Sequence, residues 1–270
     1  MGARTGEIGT YQHARFEHAG AAHDVYRKGS GPAVIVLAEL PGISPQLLGF
    51  ADRVVERGFS VAVPHLFGPA LTDVTKLSSA RRSLALLRTT AEVCISREFN
   101  VFASGRASPV TNWLRGLVAV EHDRCGGPGV GVVGMCFTGG FALALAADPR
   151  VLAPVVSHPS LPFGTPRGID CDKLTLAAVA QRCAKEELEV LGLRFKRDPV
   201  SPYPRFQYLR QKLGDGFVAV EIDPKLGNPR GPYSARHSVL TVDALHEPGN
   251  PTLAALERVL DLFERKLLTH

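Results

Sequence analysis

The sequence predicts an α/β fold, with helices on both faces of a mostly parallel central sheet and an antiparallel hairpin at its N-terminal end. Strand-like and helix-like segments alternate along the chain, as they do in folds of this class. The run 33–38 is continuously apolar, as expected of a central strand buried on both faces. The chain has 270 residues, 45% hydrophobic and 21% charged, so we expect one domain over 1–270.

Strands are predicted where short apolar or alternating runs are bounded by glycine, proline or polar turns. The first two form the hairpin, and the others are the parallel strands. In chain order they cover 12–18, 22–28, 33–38, 60–63, 130–133, 151–157, 188–195 and 217–222.

Helices are predicted where apolar residues recur at spacings of three and four behind a capping residue. A cap residue followed by proline opens three of them, at Ser44-Pro45, Ser201-Pro202 and Asn250-Pro251. Residues 78–122 read as helical with a break near 104–109. The run 141–147 is apolar on every side, which indicates a buried helix.

Composition excludes several classes of function. The net charge of +5 comes from scattered Lys and Arg with no basic stripe interleaved with aromatic residues, so we expect no nucleic-acid or membrane partner. The longest apolar run is too short to span a bilayer and no signal peptide is evident, so a cytoplasmic protein is expected. The five cysteines are odd in number and irregularly spaced, so no disulfide framework is expected, and the absence of a C-x-x-C pair argues against a structural zinc site. No metal and no cofactor is expected.

A glycine pattern over 129–134 could be mistaken for a dinucleotide-binding loop. It spells G-x-G-x-x-G, but those glycines run through the predicted strand instead of following it. We therefore reject a nucleotide cofactor site.

The strongest motif is Gly134-Met135-Cys136-Phe137-Thr138-Gly139-Gly140, between a strand and the buried helix. Glycines two residues either side of a nucleophile permit a tight strand-to-helix turn that exposes its side chain. A helix N-terminus favours a thiolate, and the N–H of Phe137 would face a developing oxyanion. The alternative is a cysteine packed at a helix–strand junction.

A cysteine nucleophile needs a base and a group that orients it, in the chain order nucleophile, acid, histidine. Asp198 follows the predicted strand 188–195 and is the candidate acid, ahead of Asp170 and Asp172, which no strand precedes. His237, in a long Gly/Pro-rich loop after the last strand, is favoured as base over His246. His158, at the end of strand 151–157, is expected to line the pocket.

These residues resemble the dienelactone hydrolase family, whose members have the α/β-hydrolase fold and a G-x-C-x-G-G motif. The resemblance extends from about residue 33 to the C-terminal helix. It implies that Glu39 contacts the resting thiol and helps to deprotonate it, and that the N–H of Leu40 joins that of Phe137 in the oxyanion hole. It also implies a catalytic Cys136, His237 and Asp198, and a small ester or lactone as substrate.

The sequence departs from the family around the histidine. The family's Gly-His-x-Phe turn is missing, and so is the arginine that follows it and binds a substrate carboxylate. Arg97, Arg81 and Arg236 are candidates to replace that arginine. The displaced histidine also leaves open a second hypothesis, a small-molecule-binding protein that keeps the fold without hydrolysis. Acyl transfer to an acceptor other than water is a third.

Overall fold

The computed structural model describes residues 4–68, 71, 73, 75–95, 99, 109–162, 164–229 and 236–268. Within these residues, eight strands form one sheet in the order β1-β2-β4-β3-β5-β6-β7-β8. The strands are β1 Gln12–His18, β2 Ala21–Gly29, β3 Ala33–Leu37, β4 Ser60–His65, β5 Val130–Met135, β6 Val151–Ser157, β7 Val190–Phe195 and β8 Phe217–Ile222.

Strand β1 pairs with β2, and β2 with β4, in antiparallel register, whereas β3 to β8 are parallel to one another. The predicted α/β-hydrolase arrangement, with its N-terminal hairpin, is therefore confirmed. The helices that cover the sheet are α1 Pro45–Glu56, α2 Ser79–Ile95, α3 Val110–Cys125, α4 Gly139–Leu145, α5 Lys173–Lys185, α6 Tyr203–Leu213 and α7 Pro251–Leu267.

Most elements begin and end close to where the sequence places them. Ser44 and Asn250 are N-caps, and their side chains accept backbone N–H bonds from Leu47 and Thr252. Ser201 is not a cap: its N–H donates to the Asp198 carboxylate, and α6 starts without a side-chain cap. The predicted helical stretch 78–122 contains two helices, α2 and α3.

Helix α5 was not predicted, because its sequence has no strong apolar stripe. Its N-cap is Asp172, whose Oδ1 accepts the N–H of Thr175 at 2.9 Å. This capping bond, together with a second one from the Thr175 hydroxyl, lowers the pKa of Asp172 despite partial burial, which acts to raise it. Asp172 is therefore committed to α5 and is not the acid of the site.

The parallel strands end at one edge of the sheet, and this positions the site. Strands β3, β5, β6 and β7 end at Leu37, Met135, Ser157 and Phe195. Cys136 and His158 come directly after two of these ends, and Glu39 and Asp198 follow the other two within three residues. None of the described helices is both long and apolar enough to cross a bilayer.

Candidate active site

Cys136 occupies the sharp turn between β5 and α4. Its φ is +51°, a left-handed conformation that is uncommon for a residue with a side chain. A Cβ on Gly134 would lie 2.3 Å from the backbone oxygen of Thr138, and one on Gly139 would lie 2.7 Å from Pro159. The glycines of the motif are therefore required by close packing, as the sequence indicates, and they allow Cys136 to be held in this strained turn.

Thr138 braces the turn. Its hydroxyl accepts the N–H of Met135 at 2.9 Å and lies within 3.2 Å of the carbonyl oxygen of Leu37, on the neighbouring strand β3. Since Thr138 is fully buried, these bonds are shielded from water. They tie the turn that carries Cys136 to the centre of the sheet.

The Cys136 side chain is 8% exposed and contacts Ser160, which the sequence analysis did not single out. The sulfur lies 3.4 Å from Ser160 Oγ, and the N–H of Ser160 donates to the carbonyl oxygen of Cys136 at 2.9 Å. Ser160 therefore holds both the backbone and the side chain of Cys136. In an anionic state of the sulfur, the hydroxyl is the donor in this contact.

Asp198 and His237 form a buried hydrogen-bonded pair. His237 Nδ1 lies 2.6 Å from Asp198 Oδ2, and the other oxygen of Asp198 accepts the N–H groups of Val200 and Ser201. Burial alone raises the pKa of Asp198, but the hydrogen bond and charge of His237 outweigh it and lower that pKa. An ionised Asp198 thus keeps the proton on Nδ1 and turns Nε2 away from itself.

The Nε2 side of His237 faces Cys136. Burial lowers the pKa of His237, but the charge of the Cys136 sulfur and the bond to Asp198 raise it well above its usual value. Nε2 is buried and makes no well-aligned hydrogen bond to a described residue, so the sulfur acts on the ring mainly through its charge. Such contacts are often poorly aligned before substrate binds.

Asp243 fixes the backbone that carries His237. Its Oδ2 accepts the N–H groups of His237 and Ser238 at 2.9 and 3.1 Å, and Arg236 donates to Oδ1 at 3.3 Å. Burial is the main reason that the pKa of Asp243 is raised. These bonds fix the backbone of the segment that follows the last strand and carries His237.

Glu39 is buried and held by three donors. Its Oε2 accepts from Ser238 Oγ at 2.6 Å and from His158 Nε2 at 3.1 Å, and its Oε1 accepts from the hydroxyl of Thr241. Burial acts to raise the pKa of Glu39, but its bonds to these donors, His158 first, lower it. The contact with the thiol that the resemblance implies is not among the hydrogen bonds of Glu39 to described residues, since these donors hold its carboxylate.

His158 is fully buried between Glu39 and His237. Because the ionised Glu39 can only accept, the proton of the neutral ring lies on Nε2, and Nδ1 then accepts from Ser157 Oγ at 2.8 Å. Burial, followed by the charge of His237, lowers the pKa of His158, so the ring is neutral. It packs edge-on against His237, with the ring centroids 4.5 Å apart.

The remaining predicted residues have other surroundings. His246 has no hydrogen-bond partner among the described residues for either ring nitrogen, and burial lowers its pKa to about 4, so it is a neutral ring. Arg81 is exposed on α2, and Arg97 lies outside the described residues. No group of side chains in the described ranges could hold a metal ion.

The two expected oxyanion donors are next to site residues in the chain. Leu40 follows Glu39, and Phe137 follows Cys136. Among the backbone bonds outside helices and strands, neither N–H donates to another described residue.

Sequence reasoning missed the groups that support the site. The hydroxyls of Ser238 and Thr241 stand beside His237 in the sequence, but nothing local indicates that they bind Glu39. Ser160 follows His158 by two residues, and only its place after a parallel strand could have drawn attention to it.

Comparison with known proteins identifies the family of the chain. Residues 21–223 match the model of the dienelactone hydrolase family, whereas no curated protein matches the chain in sequence.

Three solved structures share the fold. A protein from Klebsiella pneumoniae subsp. pneumoniae assigned as a dienelactone hydrolase is 17% identical, with a TM-score of 0.61 over 94% of this chain and 98% of that one. A dienelactone hydrolase-like promiscuous phosphotriesterase from metagenomic libraries is 14% identical, with a TM-score of 0.63 over 96% and 99%.

The third is a cold-adapted esterase from an Arctic intertidal metagenomic library, which is 16% identical with a TM-score of 0.54 over 98% of each chain. At such identities the likeness establishes the fold alone. The family match covers most of the chain, and so this protein belongs to the dienelactone hydrolase family and is a carboxylic ester hydrolase.

Proposed function

We propose that this protein hydrolyses a small ester or lactone through a thioester on Cys136, with His237 as base and Asp198 as the group that orients it. The observation that carries the proposal is the hydrogen bond between His237 Nδ1 and Asp198 Oδ2, at 2.6 Å, on a ring whose other nitrogen faces the Cys136 sulfur. Three residues far apart in sequence meet in the order that nucleophile, base and orienting acid require.

In the first half of the reaction, the sulfur attacks the carbonyl carbon of the substrate. The carbonyl oxygen becomes an oxyanion, and the N–H groups of Leu40 and Phe137 stabilise it. The raised pKa of His237 favours an imidazolium beside the sulfur. As the tetrahedral intermediate collapses, His237 gives its Nε2 proton to the leaving alkoxide and the thioester remains.

In the second half, neutral His237 takes a proton from water, and the hydroxide attacks the thioester carbonyl. The carbon–sulfur bond breaks, the acid product leaves, and the thiolate and the imidazolium are restored. Asp198 stays ionised throughout, since the bond from His237 lowers its pKa. A thiol nucleophile suits activated esters, whose leaving group departs easily.

Within this proposal, Glu39 acts by positioning and not by removing the thiol proton. Its carboxylate holds Ser238 and Thr241, on the segment of His237, to the strand end that precedes Leu40. It therefore couples the base to one oxyanion donor. The neutral His158 completes this connection, because it bonds Glu39 and packs on His237.

Trapping the acyl-enzyme tests the proposal. We expect mass spectrometry after brief exposure to an activated ester to find one acyl group on Cys136, and we expect Cys136→Ala to lower kcat by at least about 10³-fold. Cys171→Ala is the matched control, because burial raises the pKa of the Cys171 thiol and leaves it inert. Full activity in Cys136→Ala would show that another group is the nucleophile.

A further inference from the structure

Arg205, on helix α6, is a buried arginine that bonds to the loop in contact with Cys136. Its side chain is among the largest that are fully buried, with 2% exposure. All five of its N–H donors bond to backbone carbonyl oxygens at 2.5 to 3.2 Å, and these belong to Pro159, Pro162, Thr165, Gly168 and Val200. One guanidinium thus binds both the loop that follows β6 and the turn that precedes α6.

No carboxylate forms an ion pair with Arg205 within the described residues. Burial lowers its pKa to about 10, and the charges of Cys136 and Asp198 act in the opposite direction. Arg205 therefore stays protonated at neutral pH. A buried cation without a paired anion is costly, and it favours negative charge on the groups around it.

The loop held by Arg205 is the loop that touches the nucleophile. Pro159, which accepts from Nη1 at 2.5 Å, directly precedes Ser160. Ser160 donates its N–H to the carbonyl of Cys136 and has its hydroxyl against the sulfur. The position of the Ser160 hydroxyl therefore depends on the bonds that Arg205 makes.

We propose that Arg205 is a positioning residue for Cys136: it holds Ser160 against the sulfur and supplies the positive charge that stabilises the anionic sulfur and the oxyanion. The proposal rests on the proposed function in one respect, the role of Cys136 as nucleophile. It gives Arg205, a residue other than Cys136, His237 and Asp198, a part in stabilising negative charge at the site.

The other titratable groups around the sulfur set the background for a test. His237 faces the sulfur directly, and Asp198 lies behind its ring. Glu39 and His158 lie beyond His237 as a bonded pair. Arg205 bonds to none of these four groups, but Val200, which accepts from its Nη1, donates its own N–H to Asp198.

Arg182 offers a matched control. It is also buried, and its Nη1 bonds to the carbonyls of Ala146, Asp148 and Val151. It forms an ion pair with Glu186 at 2.7 Å. Although it belongs to α5, it contacts residues just after the C-terminal end of α4, the end opposite to Cys136. It therefore shares the structural task of Arg205 but not its unpaired charge beside the sulfur.

The experiment measures the rate of alkylation of Cys136 by iodoacetamide against pH, by peptide mass spectrometry, in the full-length protein and in R205M, R205K and R182M. In R205M we expect the midpoint of the pH profile to rise by about one pH unit, and kcat for an activated ester to fall about tenfold with little change in KM. In R205K, which keeps the charge, the midpoint should stay near that of the unchanged protein. R182M should lose stability but keep the midpoint.

Two results overturn the proposal. One is a folded R205M whose midpoint and kcat match those of the unchanged protein. The other is an R205K whose midpoint rises by about one pH unit although the positive charge is retained. If R205M does not fold, the midpoint of R205K alone decides whether the charge at position 205 stabilises the anionic sulfur. Alkylation does not require turnover, so a failure of the proposed role of Cys136 in hydrolysis would be recognised separately, by a Cys136→Ala variant that keeps full activity.

Discussion

Replacing Asp198 by asparagine removes the negative charge behind His237 while keeping the size of the side chain. The lost interaction is a 2.6 Å hydrogen bond to a carboxylate that is 2% exposed, a kind of bond that contributes about 1.5–3 kcal/mol. The amide of asparagine can also donate to Nδ1 of His237. This moves the ring proton to Nε2, the nitrogen that must accept a proton in the reaction. We expect kcat/KM to fall about 10²–10³-fold, or about 2.7–4.1 kcal/mol.

The pH dependence of stability in Asp198→Asn follows from two pKa shifts. Asp198 has a lowered pKa in the folded protein, so its contribution is present above about pH 4 and is lost as the pH falls through the folded value. His237 has a raised pKa, so its contribution is complete below about pH 6.5 and is lost as the pH rises through its folded value. The stability lost in Asp198→Asn should therefore be largest between about pH 4 and 6.5.

Chemical denaturation at about pH 3, 5.5 and 9 measures this difference in the free energy of unfolding, and hydrolysis of an activated ester gives kcat/KM. Asp223→Asn is the control, because Asp223 is an exposed carboxylate that caps a short turn after β8. The reasoning is refuted if Asp198→Asn hydrolyses the ester within about threefold of the unchanged protein and its stability deficit is the same at all three pH values.

Three further changes test the groups that support the site. Gly134→Ala places a Cβ 2.3 Å from a backbone oxygen, so thermal unfolding should show a loss of about 3 kcal/mol or more in the free energy of unfolding. Gly9→Ala is the control and should be neutral, because a Cβ there meets nothing within 4 Å. Equal effects of the two changes would contradict the packing argument. Glu39→Gln disrupts a buried carboxylate with three donors and should cost about 2–4 kcal/mol in urea denaturation; a cost under about 0.5 kcal/mol would show that the carboxylate is not needed. Asp243→Ala frees the N–H of His237, so steady-state kinetics should give a kcat about tenfold lower with a smaller change in KM, and an unchanged kcat would mean that Asp243 does not position the base.

Much of the site could be predicted, because local sequence patterns indicate its members. Cys136 lies between glycines that close packing demands, and Asp198 follows a parallel strand whose end must face the same edge of the sheet. The hydrogen bond between Asp198 and His237 has the partners that the chain order predicts. The turn at Cys136 and the strand end before Asp198 depend on short stretches of chain, which is why the sequence carries them, whereas the chain order left His246 as an alternative to His237.

The supporting groups could not be predicted, because each acts across a long stretch of chain. Glu39 receives Ser238 and Thr241 from about two hundred residues away, and Arg205 holds a loop some forty residues earlier. Hydroxyls and arginines are common on any surface, so their type carries no signal until the backbone brings them together.

The amino-acid sequence by itself determined the fold class, the strained turn at Cys136 and the strand end that presents Asp198, because hydrophobic periodicity and glycine placement act locally. Only the tertiary structure decided that His237 and not His246 reaches Asp198, that Glu39 bonds to His158 and two hydroxyls, and that a buried Arg205 holds the loop in contact with the sulfur. Those outcomes depend on which side chains burial brings within about 3 Å of one another, and hydrogen bonds over that distance are set by packing and not by neighbours in sequence.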